Sequence, residues 1–217
     1  MIGNELDFFL SIGYFRMHQD IFTCQYILAD DKICPVYWLR MRLEDVQFGT
    51  KQARILRQNS HFSTIVRPLT ISDEHEALYA IYRNAINFDA AASVESCLLN
   101  GVEASVFDTY IVEIRDRGQL IAGGIFDNGN DSIAGIMNFY HPDYRKYSLG
   151  KYLMMQKILY AQQQKKVFYY PGYIATNYTK FDYKLFPCEA ATEVFDDNRD
   201  RWLPFSWEAV NRIQAER

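Results

Sequence analysis

Cysteine is scarce in this chain. Four residues, Cys24, Cys34, Cys97 and Cys188, are spread irregularly over 217 positions. That leaves no disulfide framework and suits a reducing compartment, so a cytoplasmic location is expected. Structural zinc pairs usually stand about two to four residues apart. Nine residues separate Cys24 from Cys34, so even with His18 as a third ligand no metal is expected, and no cofactor either. No apolar run reaches transmembrane length and no signal peptide is recognised, which predicts no membrane partner. Repeats, low-complexity tracts and Gly/Ser/Pro-rich linkers are missing too. Positive charge is short: 23 Lys and Arg against 27 Asp and Glu give a net charge of −4. That excludes a generic nucleic-acid coat while leaving room for a local basic patch.

Hydrophobic residues make up 49% and charged residues 23%, the balance of a soluble globular protein. The length suffices for one sizeable core, or one domain plus a smaller lobe. The expected division is a lobe over 1–71 and a main domain over 72–217. Aromatic content is high at 16%, which supplies stacking surface or reflects genome bias.

The most informative stretch is Ser132 to Gly150, followed by Lys151 to Tyr160. Ile133 to Tyr140 is an apolar run that predicts a buried strand. His141-Pro142-Asp143 ends it, because proline restricts its predecessor and cannot donate to a ladder. Arg145 and Lys146 form a basic loop, and Ser148 is the expected N-cap of a helix carrying Leu153, Ile158 and Leu159 inward. Strand, basic loop and helix start together predict an anion site, since free N–H groups and the helix dipole face the loop. Arg145-x-x-Ser148-x-Gly150 resembles the Q/R-x-x-G-x-G/A loop with which GNAT acetyltransferases hold coenzyme A, with serine at one glycine position. An ordinary capped helix would look the same.

Before this stretch, residues 1 to 36 read as irregular and Val36 to Leu43 as a strand. Thr50 should cap a short helix, Lys51 to Asn59. Six basic residues against two acidic ones lie between Arg40 and Arg67. A solvated helix face explains them; so does a phosphate-binding patch with Lys51, Arg54 and Gln58 on one side. Ser72 opens an amphipathic helix with Leu78, Ile81, Tyr82, Ala85 and Ile86 at core spacing. A second helix is expected from Ser93 to Leu99. Tyr110 to Arg115 and Leu120 to Phe126 form a hairpin, and Asp127 to Asp131 a turn into the central strand. Beyond it come strands at 167–170 and 193–195, then a peripheral helix from Trp207. This order predicts an α/β mixed sheet with a GNAT-like acyltransferase fold and a small N-terminal lobe. In that fold the strands flanking the central helix are parallel and splay apart.

Residues from Ser132 to Phe186 resemble the C-terminal half of arginyl-tRNA–protein transferases and their bacterial leucyl-tRNA relatives. The motifs are the Ser148-Leu149-Gly150 helix start, Gly172-Tyr173, Lys180-Phe-Asp-Tyr-Lys184 and Phe186-Pro187. Upstream, Gly13-Tyr-Phe-Arg16, Cys34-Pro-Val36 and Gln52-x-Arg54-x-x-Arg57-x-Asn59 resemble the family's N-terminal half. The likeness runs from about residue 8 to 195. His141 stands where the family has an acid, Thr176-Asn177 where Cys-Pro often sits, and most of its N-terminal cysteines are missing.

The resemblance implies transfer of arginine or leucine from a charged tRNA to the N-terminal amine of an acceptor protein that begins with an acidic residue. The ester is already activated, so positioning alone can supply roughly 7–11 kcal/mol of the barrier. Candidate catalytic residues are Asp127 as base, Tyr140, and Lys184 as partner of the acceptor carboxylate. Lys180 is the alternative cation, and a simple Asx turn is the other reading of Asp127. Ser148, Leu149 and Gly150 would offer N–H groups to ribose-phosphate or oxyanion. Tyr173 and Tyr183 would stack on the terminal adenosine, although Tyr183 fits a core position equally well. Lys51, Arg54, Arg57, Arg145 and Lys146 are the candidate tRNA contacts. Two other classes stay open: an acyl-CoA-dependent N-acyltransferase, and an inactive relative that only binds tRNA or protein N-termini.

Overall fold

In the computed structural model, which describes residues 1–217, the first half of the chain runs through α1 (Asn4–Ser11), β1 (Phe15–Met17), β2 (Asp20–Phe22), β3 (Tyr26–Ala29), β4 (Lys32–Arg42), α2 (Thr50–Gln58), β5 (Ser63–Pro68), α3 (Asp73–Ala85) and α4 (Val94–Leu98). The second half holds β6 (Thr109–Asp116), β7 (Gln119–Asn128), β8 (Ser132–Tyr140), α5 (Leu149–Gln163), β9 (Phe168–Ala175), β10 (Thr192–Asp196), β11 (Arg201–Pro204) and α6 (Trp207–Glu216). Short 3₁₀ turns cover Pro142–Tyr147 and Thr179–Leu185.

Strands β5 to β8 pair in sequence as an antiparallel meander. Alternation along Tyr110–Arg115 and Leu120–Phe126 places Ile111 and Ile125 on one face, Val112 and Phe126 on the other. After β8 the chain crosses through α5 and returns as β9, the one parallel neighbour in the sheet. The full order is β11-β10-β4-β9-β8-β7-β6-β5, with β3 paired to the outer part of β4. This is the mixed α/β sheet with GNAT-like element order that the sequence predicts.

Helix α5 forms because almost its whole surface can be buried. Leu149, Leu153, Met155, Ile158 and Ala161 are all inaccessible to solvent. Each large apolar side chain buried this way contributes about 1.5–3 kcal/mol. They pack on Val112, Ile114, Phe126 and Tyr169, while α3 and α4 cover the other face through Leu78, Tyr79, Val94 and Leu98.

Strands β8 and β9 stay together for only three pairs, Ser132–Phe168, Ile133–Tyr169 and Ala134–Tyr170. Beyond them, both strands are distorted. Ile136 is an extra residue in β8, because Gly135 faces Phe126 and Met137 faces Ile125. In β9, Tyr170 and Pro171 together oppose Arg40. Bulges bend their strands and raise the local twist, and Pro171 has no N–H to donate. Gly172 follows at a φ of 97°, a conformation that favours glycine. The two strands therefore diverge and leave an opening in the sheet.

Several local expectations are corrected. Ser148 does not cap α5 with its side chain; it is left-handed, at φ 54° and ψ 44°, closing the preceding 3₁₀ turn. Thr50 is the first residue of α2 rather than its cap, and Gly49 takes the cap position. Asp127 is not in a turn: β7 continues to Asn128 and buries it. Residues 1–36 are not irregular: helix α1, burying Leu6 and Leu10, and strands β1, β2 and β3 form there, and these, with β5 and β11, were not predicted.

Candidate active site

The opening between β8 and β9 holds a cavity of about 300 Å³. Ala134 to Asn138 form one side; Tyr169 and Pro171 to Tyr173 form the other. Much of the wall is aromatic. Phe15 stacks on Trp38 at 3.7 Å between ring centres, and Tyr173 meets Trp38 edge-on at 4.9 Å. Phe181 and Tyr183 come from the Thr179–Leu185 turn, and Met154 from α5.

Three basic side chains line this cavity, Arg16, Lys157 and Lys184, and no carboxylate does. Arg16 donates to Asp127 Oδ1 at 2.7 Å, Thr109 Oγ1 at 2.9 Å and the Leu98 carbonyl at 2.8 Å. Asp127 itself does not line the cavity. Its Oδ1 also accepts from the Thr109 hydroxyl at 2.7 Å, while Oδ2 is buried without a partner. Burial pushes this carboxyl up, and Arg16 and Thr109 pull against that.

Lys157 is 1% exposed. Its Nζ donates to the Ile125 carbonyl at 2.8 Å, Asn138 Oδ1 at 2.9 Å and, more weakly, the Met137 carbonyl at 3.3 Å. These carbonyls flank the bulge at Ile136, so the lysine is tied to the distortion that opens the sheet. Burial pushes its pKa down to about 7, with Asp127 opposing. Lys184 donates to the Tyr173 carbonyl at 2.7 Å. Its Nζ lies 4.7 Å from the Tyr173 ring centre and 4.6 Å from that of Phe181. Burial holds it at about 7 as well. Such depression is the ordinary consequence of withdrawing an ammonium from water.

A second concavity, about 320 Å³ and more open, lies at the start of α5. Lys51, Arg54, Ser148, Lys151 and Phe186 line it. Leu149 and Gly150 occupy the first turn of α5, where no intrahelical carbonyl reaches their N–H groups. Helix α2 is docked beside it: Gln58 Nε2 donates to the Lys146 carbonyl at 3.1 Å, and Asn59 Nδ2 to that of Tyr147 at 3.0 Å. Arg57, Arg145 and Lys146 are exposed nearby in sequence, in the last turn of α2 and in the loop before α5. Asn138 lines the first cavity and donates to the carbonyl of Gly150, in the first turn of α5, at 3.4 Å.

The predicted residues thus fall into three groups. Tyr173, Tyr183 and Lys184 line the cavity; Lys51, Arg54 and Ser148 line the basic groove, Leu149 and Gly150 follow in the first turn of α5, and Arg57, Arg145 and Lys146 are exposed outside that lining. Lys180 and Tyr140 join neither lining. Lys180 is exposed over the Tyr178 ring, and Tyr140 packs on Tyr82 at 5.3 Å beside Gly150. Arg16, Trp38, Asn138, Lys157 and Tyr169 were not selected from the sequence. A lysine between Leu153 and Ala161 on an apolar helix was a usable signal; nothing marked Tyr169 among sixteen tyrosines.

A mixed sheet opened between two parallel strands, with the start of α5 following β8, is the GNAT-like arrangement of elements. Residues 74–186, over half of the chain, match the family described as Arginine-tRNA-protein transferase, C terminus. The chain belongs to that family. An aspartate/glutamate leucyltransferase of Leptospira interrogans is 25% identical, over 93% of this chain and 83% of its own length. One from Shewanella amazonensis is 32% identical over 67% of this chain and 62% of its own. Among solved structures, the C-terminal domain of a putative lysylphosphatidylglycerol synthetase from Agrobacterium fabrum superposes with a TM-score of 0.50 at 11% identity. That match covers 65% of this chain and 49% of the other, and it is a likeness of fold. No helix is long and apolar enough to cross a membrane.

Proposed function

We propose that this chain is an aminoacyl-tRNA–protein transferase that moves an apolar amino acid, leucine, onto the N-terminal amine of proteins beginning with aspartate or glutamate. The observation that carries this reading is the lining of the cavity: aromatic and aliphatic walls, three basic side chains and no carboxylate. An arginyl side chain brought there would meet like charge with no counter-ion, whereas a leucyl chain fits the apolar wall and an acidic acceptor side chain finds a cation. The names of the relatives point the same way for donor and acceptor.

The basic groove suits the acceptor end of the tRNA. Lys51, Arg54 and Lys151 supply charge for phosphates, the N–H groups of Leu149 and Gly150 supply donors, and Arg57, Arg145 and Lys146 extend the footprint. Tyr173 and Tyr183 offer aromatic faces inside the cavity. Lys184 is the favoured partner of the acceptor carboxylate, and Asp127 serves by holding Arg16 in place rather than as a base. An acceptor α-amine has an unperturbed pKa of about 7.7–8.0. Surrounding cations lower it further, which favours the neutral nucleophile without a dedicated base. Attack forms the amide C–N bond and releases the ribose hydroxyl of the tRNA.

The experiment is direct. The protein is incubated with leucyl-tRNA or arginyl-tRNA and peptides beginning Asp, Glu, Arg or Lys, and the peptides are weighed by mass spectrometry. Addition of one leucine to the Asp and Glu peptides is expected. Micromolar binding of acetyl-CoA with no binding of charged tRNA would return the groove to a coenzyme A site.

A further inference from the structure

Tyr169 occupies the apex of the opening. It belongs to the second of the three parallel pairs, opposite Ile133. Its side chain passes along the α5 side of the sheet and is only 2% exposed. The hydroxyl reaches the backbone of Gly135, the first β8 residue past the last pair. A Cβ at Gly135 would lie 2.9 Å from it.

Buried tyrosines normally find a hydrogen-bond partner for the O–H. Tyr79 does so in this protein, donating to the Ala91 carbonyl at 2.8 Å. The Tyr169 side chain lines the cavity, and its hydroxyl makes no hydrogen bond to another protein group. The hydroxyl is not one of the fully buried atoms left without a partner; it opens onto the cavity, where a phenylalanine ring would fill the same space and offer no donor. Burial also pushes the phenol well above its ordinary pKa. It therefore holds its proton at neutral pH and can serve only as a donor or a neutral acceptor, never as a base.

We infer that the Tyr169 hydroxyl donates a hydrogen bond to the carbonyl oxygen of the aminoacyl ester and to the oxyanion that forms from it. The inference rests on the transferase reading and adds a residue to it. The carbonyl of an ester entering between the strands needs a donor at the apex, and Tyr169 presents the unpartnered O–H at that point. Next to it, β8 has left β9, so its strand-facing amides past Ala134 have no ladder partner either. The amine nitrogen attacks the ester carbon, the C–N bond forms, and the carbonyl electron pair moves onto oxygen, where Tyr169 holds it. The pair then returns, the C–O bond to the ribose breaks, and the ribose oxygen takes up the proton the amine nitrogen loses. Tyr169 keeps its own proton throughout.

The test is Tyr169→Phe, assayed by single-turnover transfer from leucyl-tRNA to an Asp-initiated peptide. Removing one oxyanion donor typically lowers the chemical rate by about 10²–10³-fold. A fall of about 100-fold is expected, with the KM for leucyl-tRNA within about twofold, an unaltered pH profile and a thermal midpoint close to that of wild type. A purely structural role would lower the midpoint and leave that split between kcat and KM unseen. Gly135→Ala is the second variant. Its methyl displaces the hydroxyl and is expected to lower kcat in the same direction. A Tyr169→Phe rate within threefold of wild type overturns the inference, as does loss of one limb of the pH profile. Transfer by the wild-type chain with an unaffected variant sinks this inference alone; no transfer by the wild-type chain sinks both readings.

Discussion

Lys157 makes stability depend on pH in a direction opposite to that of an ordinary surface lysine pair. Burial holds it at about 7, against 10.5 for the free side chain. Below about pH 7 folded and unfolded chains are both protonated, and the full cost of burying an ammonium falls on the fold. Between about 7 and 10.5 the unfolded chain binds a proton that the folded chain has released, so stability rises with pH. Going from pH 6.5 to 8.5, this one group adds about 2 kcal/mol to the unfolding free energy. Lys184, also held at about 7, adds a contribution of the same sign.

Lys157→Met keeps a flexible chain of similar length on α5 and removes the titration. It also strips donors from the Ile125 and Met137 carbonyls and from Asn138, at about 1–3 kcal/mol for each acceptor left unsatisfied. That cost is present at every pH. The informative quantity is consequently the difference between wild type and variant measured at the two pH values. Urea melts at pH 6.5 and 8.5 should show the wild-type advantage growing by about 2 kcal/mol, or about 1 M in midpoint for an m-value near 2 kcal/mol/M. Its acceptors argue for the ammonium, since all three hydrogens are used when the proton is on. An advantage that stays constant from pH 6.5 to 8.5 would mean that they outweigh burial, and the pKa argument would be refuted.

Lys184→Ala should lower transfer to Asp and Glu peptides by at least tenfold while leaving tRNA affinity within twofold; steady-state kinetics against both substrates decides it. Arg54→Ala with Arg57→Ala should weaken tRNA binding and flatten its log–log salt dependence by about 1.4–1.8, two phosphate contacts' worth, with an unchanged slope marking these arginines as a solvated face. Arg16→Met should destabilise the fold by about 3–5 kcal/mol, because it strands the buried Asp127 carboxylate. Adding Asp127→Asn should recover part of that loss in a chemical melt, and a double variant no better than the single would show that the ion pair is not the cause.

Local pattern carried much of the fold. The meander was legible as alternation at 110–115 and 120–126 and as an apolar run at 133–140, within a residue or two of β6, β7 and β8. Those strands are central and buried, so their composition is constrained on both faces. Strand β5 was not legible: Ser63-Thr-Ile-Val-Arg-Pro lies at the sheet edge with Ile65 42% exposed, where packing imposes no period. The Ser148 cap failed because a left-handed residue and an N-cap serine look the same in sequence. At the site, Lys184 and the basic groove came from motifs. Arg16 and Asp127 form their ion pair across 111 residues of chain, and Lys157 passes for a lysine whose stem lies on an apolar surface. Contacts of that separation are set by topology, which no spacing rule supplies.

The position of β4 also bears on how the chain is made. It lies between β9 and β10, so its two neighbours leave the ribosome long after it does. At about 5–20 residues per second, the interval from Arg42 to Asp196 lasts on the order of ten seconds. During that time Val36-Tyr-Trp-Leu-Arg-Met41 is a sticky segment of high strand propensity. Arg40 is its single charge, placed where a charge interrupts intermolecular pairing. In the finished protein the same guanidinium donates to Glu193 at 2.6 Å and covers the rings of Phe168 and Trp202 at 4.0 and 4.5 Å. The residue that keeps the nascent strand from its copies is thus neutralised by β10, the later of its two neighbours to be made, and an Arg40→Leu chain would aggregate during synthesis before it lost anything as a folded protein.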